Sequence, residues 1–156
     1  MLLSEKIKKI PNLSDFVFWA ASVGEKNICD LTRVSGFIIE EDNEHITFFL
    51  PKLLFSIIEP TPGTDLKISF VMASIKNFES YQVKGVYKSH QTCTQENIDF
   101  YRLKVLKTIE ILSDMGLDGN GILGFLLEQQ SVALTMYCSV AYEQTPKPGT
   151  GGKLID

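Results

Sequence analysis

The sequence predicts a mainly β fold, an antiparallel barrel-like sheet with helices at its rim. Three observations carry that prediction. Most apolar residues lie in short segments that alternate with a period of two, or in dense β-branched and aromatic runs. Polar turns short enough for hairpins separate these segments. The pattern switches once to sustained helical spacing, over 95–115. The chain has 156 residues, 44 % of them hydrophobic, so one domain spanning 1–156 can bury an ordinary core without staples.

The elements follow in order. Residues 4–10 predict a short helix, with Leu3, Ile7 and Ile10 on one side and Pro11 ending it. Residues 16–23 are rich in strand formers, and Gly24, Glu25, Lys26 and Asn27 read as a turn. A long strand is expected over 28–40, bent or bulged near Ser35 and Gly36. A polar hairpin turn follows at 41–44, and 45–50 is the returning strand. Pro51 opens a short helix to about Ile58, because proline fits a first turn whose N–H groups have no partner. After a loop at 60–64 come strands at 66–74 and 79–89, with a turn near Asn77 and Phe78. In the long helix Ile98, Tyr101, Val105, Ile109 and Leu112 form one stripe. Thr92 or Thr94 caps its start and Gly116 its end. Residues 117–124 read as a glycine-rich turning segment and 125–128 as one helical turn. A last strand spans 131–142, before a Pro/Gly-rich tail at 144–156.

Charge and cysteine usage narrow the function. The net charge is -4, which argues against broad nucleic-acid binding, since that needs a basic footprint. Cys29, Cys93 and Cys138 are odd in number and lack a C-x-x-C, so they read as reduced thiols of a cytoplasmic protein. Cys29 and Cys138 fall in strand patterns, as inert small hydrophobes do. No signal-peptide run and no stretch long enough to span a membrane are seen.

Several motifs fail on context. Residues 119–124 match G-x-G-x-x-G, but a dinucleotide fingerprint follows a strand and opens a helix, whereas this one follows a helix. His45 and His90 are the only histidines and have no partner motif, and no G-x-S-x-G occurs. What survives is a set of cations and amides in or beside strands. Arg33 lies in a strand-like segment. Lys52 follows Pro51 at a helix start, where free amides and the helix dipole favour an anion such as phosphate. Gln82 and Lys84 share the polar face of Ser80-Tyr81-Gln82-Val83-Lys84-Gly85. Such a face suits either solvent or a planar polar ligand.

These motifs occur in a particular order. Ile46-Thr47-Phe48-Phe49-Leu50-Pro51 precedes a short helix, and Leu66 to Phe70 forms the next strand. Tyr81-Gln82-Val83-Lys84-Gly85, the long helix, the last strand and Tyr142-Glu143-Gln144-Thr145-Pro146 follow. From about Phe16 onward this order resembles the pyridoxamine 5'-phosphate oxidase-like superfamily, and more narrowly its small FMN-binding split-barrel proteins. The resemblance implies an antiparallel split β-barrel, a homodimer, and FMN at the dimer interface. It implies that Arg33 lies near the flavin ring or ribityl chain and that Lys52, with Pro51, meets the FMN phosphate. Gln82 and Lys84 would face the cofactor, and Gln144 and Thr145 would complete its site. Phe48, Phe49 and Leu50 are offered as apolar surface for the interface. The family's usual Gln-Thr-Pro-Gly-Pro ending carries Lys147 in place of its glycine, either as a charge at the cofactor mouth or in solvent. No Arg occurs after Arg102, so the C-terminal substrate region of true pyridoxamine phosphate oxidases is missing. The expected activity is a flavin-dependent oxidoreductase acting on a small molecule. The alternative is a non-catalytic module holding flavin or haem.

Overall fold

The computed structural model describes residues 3–23, 28–60, 65–148 and 151–154. The turn expected at 24–27 and most of the loop expected at 60–64 lie outside them. The described residues form a seven-stranded antiparallel sheet from β1 (Phe16–Val23), β2 (Cys29–Val34), β3 (Gly36–Ile39), β4 (His45–Pro51), β5 (Lys67–Ser74), β6 (Ser80–Thr92) and β7 (Ser131–Glu143). Its order is β2-β1-β5-β6-β7-β4-β3, so the sheet curls into a half-barrel whose two edges are consecutive strands. The helices are α1 (Glu5–Lys9), α2 (Lys52–Ile58), α3 (Gln95–Asp114) and α4 (Gly119–Leu123). Single 3-10 turns at Ile10–Asn12 and Gly124–Leu127 follow α1 and α4.

Alternation decides which face is core. Phe16, Phe18 and Ala20 of β1, Ile68, Phe70 and Met72 of β5, and Tyr81 and Val83 of β6 all point inward and are buried. Inside the curl, Phe70 stacks on Phe48 with ring centroids 5.3 Å apart and meets Phe37 edge-on at 5.0 Å. The stripe on α3 divides its work. Tyr101 packs with Phe49 and Ala133 on the sheet and with Cys93 just after β6, while Val105, Ile109 and Leu112 pack against Leu123 and Leu126. Burial pushes the Cys93 and Cys138 thiols up to about 12.

Four expectations need correction. The single strand expected over 28–40 is two strands at opposite edges of the sheet. Ser35 makes the corner between them, its N–H donating to the Phe49 carbonyl at 2.7 Å and its hydroxyl to the Leu126 carbonyl at 3.2 Å. Pro51 ends β4 in an extended conformation and occupies the N-cap of α2, so the helix begins at Lys52. The glycine-rich segment read as turning contains α4, whose start is capped by Asp118 accepting the Gly121 N–H at 2.9 Å. Phe48, Phe49 and Leu50 are fully buried in their own chain, so they offer no surface to a partner. Thr94, of the two candidates, caps α3 in a reciprocal box with Asn97.

Candidate functional site

On the outer face of the curled sheet, strand register brings together Arg33, Gln82 and Lys84 of the residues that the motifs singled out. Arg33 pairs with Trp19, Trp19 with Val71, Val71 with Gln82, and Gln82 with Tyr142. This row crosses five strands. The next runs Leu31, Ala21, Ser69, Lys84, Val140. A third holds Cys29, Val23, Lys67 and Val86. Arg33, Lys67 and Lys84 are the only charged side chains in these rows, and no carboxylate joins them.

Several polar groups here are held in place. The Arg33 guanidinium stacks over the Trp19 ring, 4.4 Å from its centroid, and partial burial draws its pKa below the usual arginine value. The Gln82 amide nitrogen donates to the Ser69 hydroxyl at 2.7 Å. The Gln144 amide nitrogen reaches the Gln82 carbonyl oxygen at 3.4 Å. Thr145 secures the same corner, its hydroxyl accepting the Ser80 N–H at 3.2 Å, while the Gln144 N–H donates to the Ser80 carbonyl at 2.8 Å. The Lys84 ammonium lies 5.3 Å from the centroid of the Tyr142 ring. A cleft of about 550 Å³ opens on this face, and Cys29, Lys67, Ser69, Gln82 and Lys84 line it.

A β-bulge shapes the cleft. Register slips between Lys84 and Gly85, so Lys84 pairs with Val140 while Gly85 pairs with Cys138. Ser139 is left over and turns out into the cleft. Gly85 is required there because a Cβ would sit 1.8 Å from the Tyr137 carbonyl oxygen.

Gln82, Lys84, Gln144, Thr145 and Arg33 are thus brought to one face. Lys52 and Pro51 are not. The Lys52 side chain lines a separate cleft of about 300 Å³ between α2 and the end of β6, with Phe55, Glu59 and His90. The Lys52 N–H already donates to the Gln130 carbonyl at 2.7 Å, so that amide is spent. His90 is tied to the Tyr87 hydroxyl at 2.8 Å, and His45 to Asp42 at 2.6 Å. Lys147 pairs with Glu143 at 2.8 Å. In the G-x-G-x-x-G segment the Asp118 carboxylate takes the amide that a phosphate would need. Cys29 is exposed at the cleft rather than buried.

Sequence reasoning passed over Trp19, Lys67 and Ser69. The signal for the last two was present, since Lys67 and Ser69 alternate with the apolar Ile68, Phe70 and Met72. Trp19 alternates in the same way with Phe18 and Ala20.

Solved structures share this overall fold. HupZ of Group A Streptococcus matches at a TM-score of 0.50 and 11 % identity, covering 97 % of this chain and all, 100 %, of that one. A variant of the same protein matches at 0.51 and 12 %, over 91 % of this chain and 99 % of that one. A pyridoxamine 5'-phosphate oxidase-related, FMN binding protein from Nostoc punctiforme aligns at 0.46 and 11 %, over 94 % and 87 %. No family model matches the sequence, and no curated protein matches it significantly. The HupZ likeness establishes the fold, and that fold is the split barrel which the motif order implied.

Proposed function

We propose that this chain binds FMN on the outer face of its sheet, in a site shared with a second copy. The observation that carries this reading is the row Arg33, Trp19, Val71, Gln82, Tyr142. It sets a stacked guanidinium and a fixed amide among aromatic and aliphatic side chains, all half-buried and free of carboxylates. A planar ring with polar edges and an anionic tail fits such a face. Neither histidine stands in the three rows, which favours flavin over haem.

Bound flavin would supply the redox chemistry. The residues of this chain would bind and orient it: Gln82 at a ring edge, Arg33 beside the ring or ribityl chain, and Lys84 as a nearby positive charge. Lys52, in its own cleft, joins the same site only across a subunit boundary. Among the described residues, no side chain on this face has the partner arrangement of a general acid or base, which suits chemistry carried by the cofactor. An oxidoreductase acting on a small molecule is the activity proposed.

Titration of the protein with FMN, followed by quenching of flavin fluorescence, tests the binding. Saturable quenching with one flavin per chain supports the reading, and its absence ends it. Anaerobic addition of NADPH or NADH to the loaded protein then separates an enzyme, whose flavin bleaches, from a carrier, whose flavin stays oxidised.

A further inference from the structure

We infer that Lys67 and Lys84, with the Ser69 hydroxyl between them, form an anion-binding subsite in the outer cleft, suited to a phosphate or carboxylate group. The inference deepens the flavin reading and rests on it for the rest of the ligand.

Register brings the two lysines together. Lys84 lies opposite Ser69, and Lys67 is two residues along the same strand, so the lysines are diagonal neighbours on one face. Both side chains are exposed and line the cleft, and no carboxylate lines it among the described residues. The chain as a whole is acidic, with a net charge of -4, so a cationic cleft runs against the average composition.

The hydrogen bonds add a direction to the charge. Gln144 donates to Gln82, and Gln82 donates to the Ser69 oxygen. That oxygen is already an acceptor, so its own O–H remains to be donated. Among the described residues the hydroxyl makes no other hydrogen bond. The relay therefore ends in a donor that lines the same cleft as the two lysines. An anion placed there gains charge-assisted hydrogen bonds, whereas a cation or a bare acceptor-poor group gains none. Ser139, turned out by the bulge, supplies a further hydroxyl at the cleft wall.

The anion has two possible sources, the phosphate of the flavin itself or an acidic group on a second ligand. Titrations of FMN, riboflavin and inorganic pyrophosphate separate them, on the wild type, Lys67→Ala, Lys84→Ala, the double variant and Lys52→Ala. Losing both lysines should weaken anion binding by about tenfold or more, with circular dichroism unchanged. If the wild type prefers FMN to riboflavin and the double variant loses that preference, the subsite holds the flavin phosphate. If FMN and riboflavin bind alike, and pyrophosphate binds to the flavin-loaded protein through the two lysines, the subsite serves a second ligand. Lysine-dependent pyrophosphate binding without any flavin binding upholds the subsite and removes the flavin reading. The inference is overturned if the double variant binds all three probes as the wild type does, or if Lys52→Ala alone abolishes the preference for FMN.

Discussion

Gln82 shows how much one side chain can decide on this face. It is half-buried, donates to Ser69 and accepts from Gln144, so it ties polar groups of β5, β6 and the segment after β7 into one chain of bonds. Replacing it with Leu keeps the bulk and breaks both bonds. Flavin binding should weaken by about 1–3 kcal/mol, the usual cost of a buried group left unpaired. A solvent-facing glutamine would change binding by no more than about 0.5 kcal/mol. Flavin titration of the variant distinguishes the two. Gly85 makes the opposite kind of demand, for space. A Cβ there would lie 1.8 Å from the Tyr137 carbonyl oxygen and 2.8 Å from the Met136 methyl. Gly85→Ala must open the bulge, so stability should fall by at least about 1–3 kcal/mol. Urea unfolding reads the loss, and an unchanged midpoint would mean that the strands are not packed as described.

At the scale of elements, legibility in the sequence followed local physics. The strands β1, β4, β5, β6 and β7 and the helix α3 were readable because period-two or helical spacing persisted over many residues. The helix α4 was not, because glycines at 119, 121 and 124 argue against a helix whenever propensity alone is weighed. Tertiary contact explains one of them: a Cβ on Gly119 would meet the Ile109 carbonyl oxygen at 2.5 Å, so the glycine is there to let α4 approach α3. The break at Ser35 was half legible, as a bend. Its consequence, that β2 and β3 lie at opposite edges, depends on carbonyls supplied by β4 and by the turn after α4. The candidate site divides in the same way. Gln82 and Lys84 share a strand face and could be seen together, whereas Trp19 and Lys67 join them only through register across β1 and β5. The cap on α3 gives a direct test of local reasoning. Thr94 accepts the Asn97 N–H at 3.2 Å and Asn97 returns the bond at 3.1 Å. Thr94→Ala should cost about 1 kcal/mol of stability, measured by chemical denaturation.

At the scale of the whole molecule, two predictions follow from what is buried and what is not. The Cys93 and Cys138 thiols are held at about 12, and burial also raises the Tyr101 phenol, against ordinary values of about 8.5 and 10. The native state therefore keeps protons that the unfolded chain releases as pH rises through that range. With fewer protons on the unfolded state, stability must fall with pH there. The urea midpoint should drop between about pH 8 and pH 11, and a flat profile would contradict the burial of these groups. The second prediction is the homodimer. Its surface cannot be Phe48, Phe49 and Leu50, which are 0 % exposed. The outer face offers what they do not: Leu31 is 61 % exposed and Val23 40 %, beside half-buried Trp19, Val71 and Tyr142. A two-fold axis through that face would cover the same patch on both copies and enclose the cleft between them. An interface of this kind buries roughly 2,000 Å² or more. Light scattering at micromolar concentration should give twice the 17.5 kDa mass of one chain. Leu31→Arg places a charge on the exposed apolar edge and should yield a folded monomer with weakened FMN binding. A monomeric variant that binds FMN fully would locate the site within one chain, and a monomeric wild type would remove the dimer together with any role for Lys52 in the shared site.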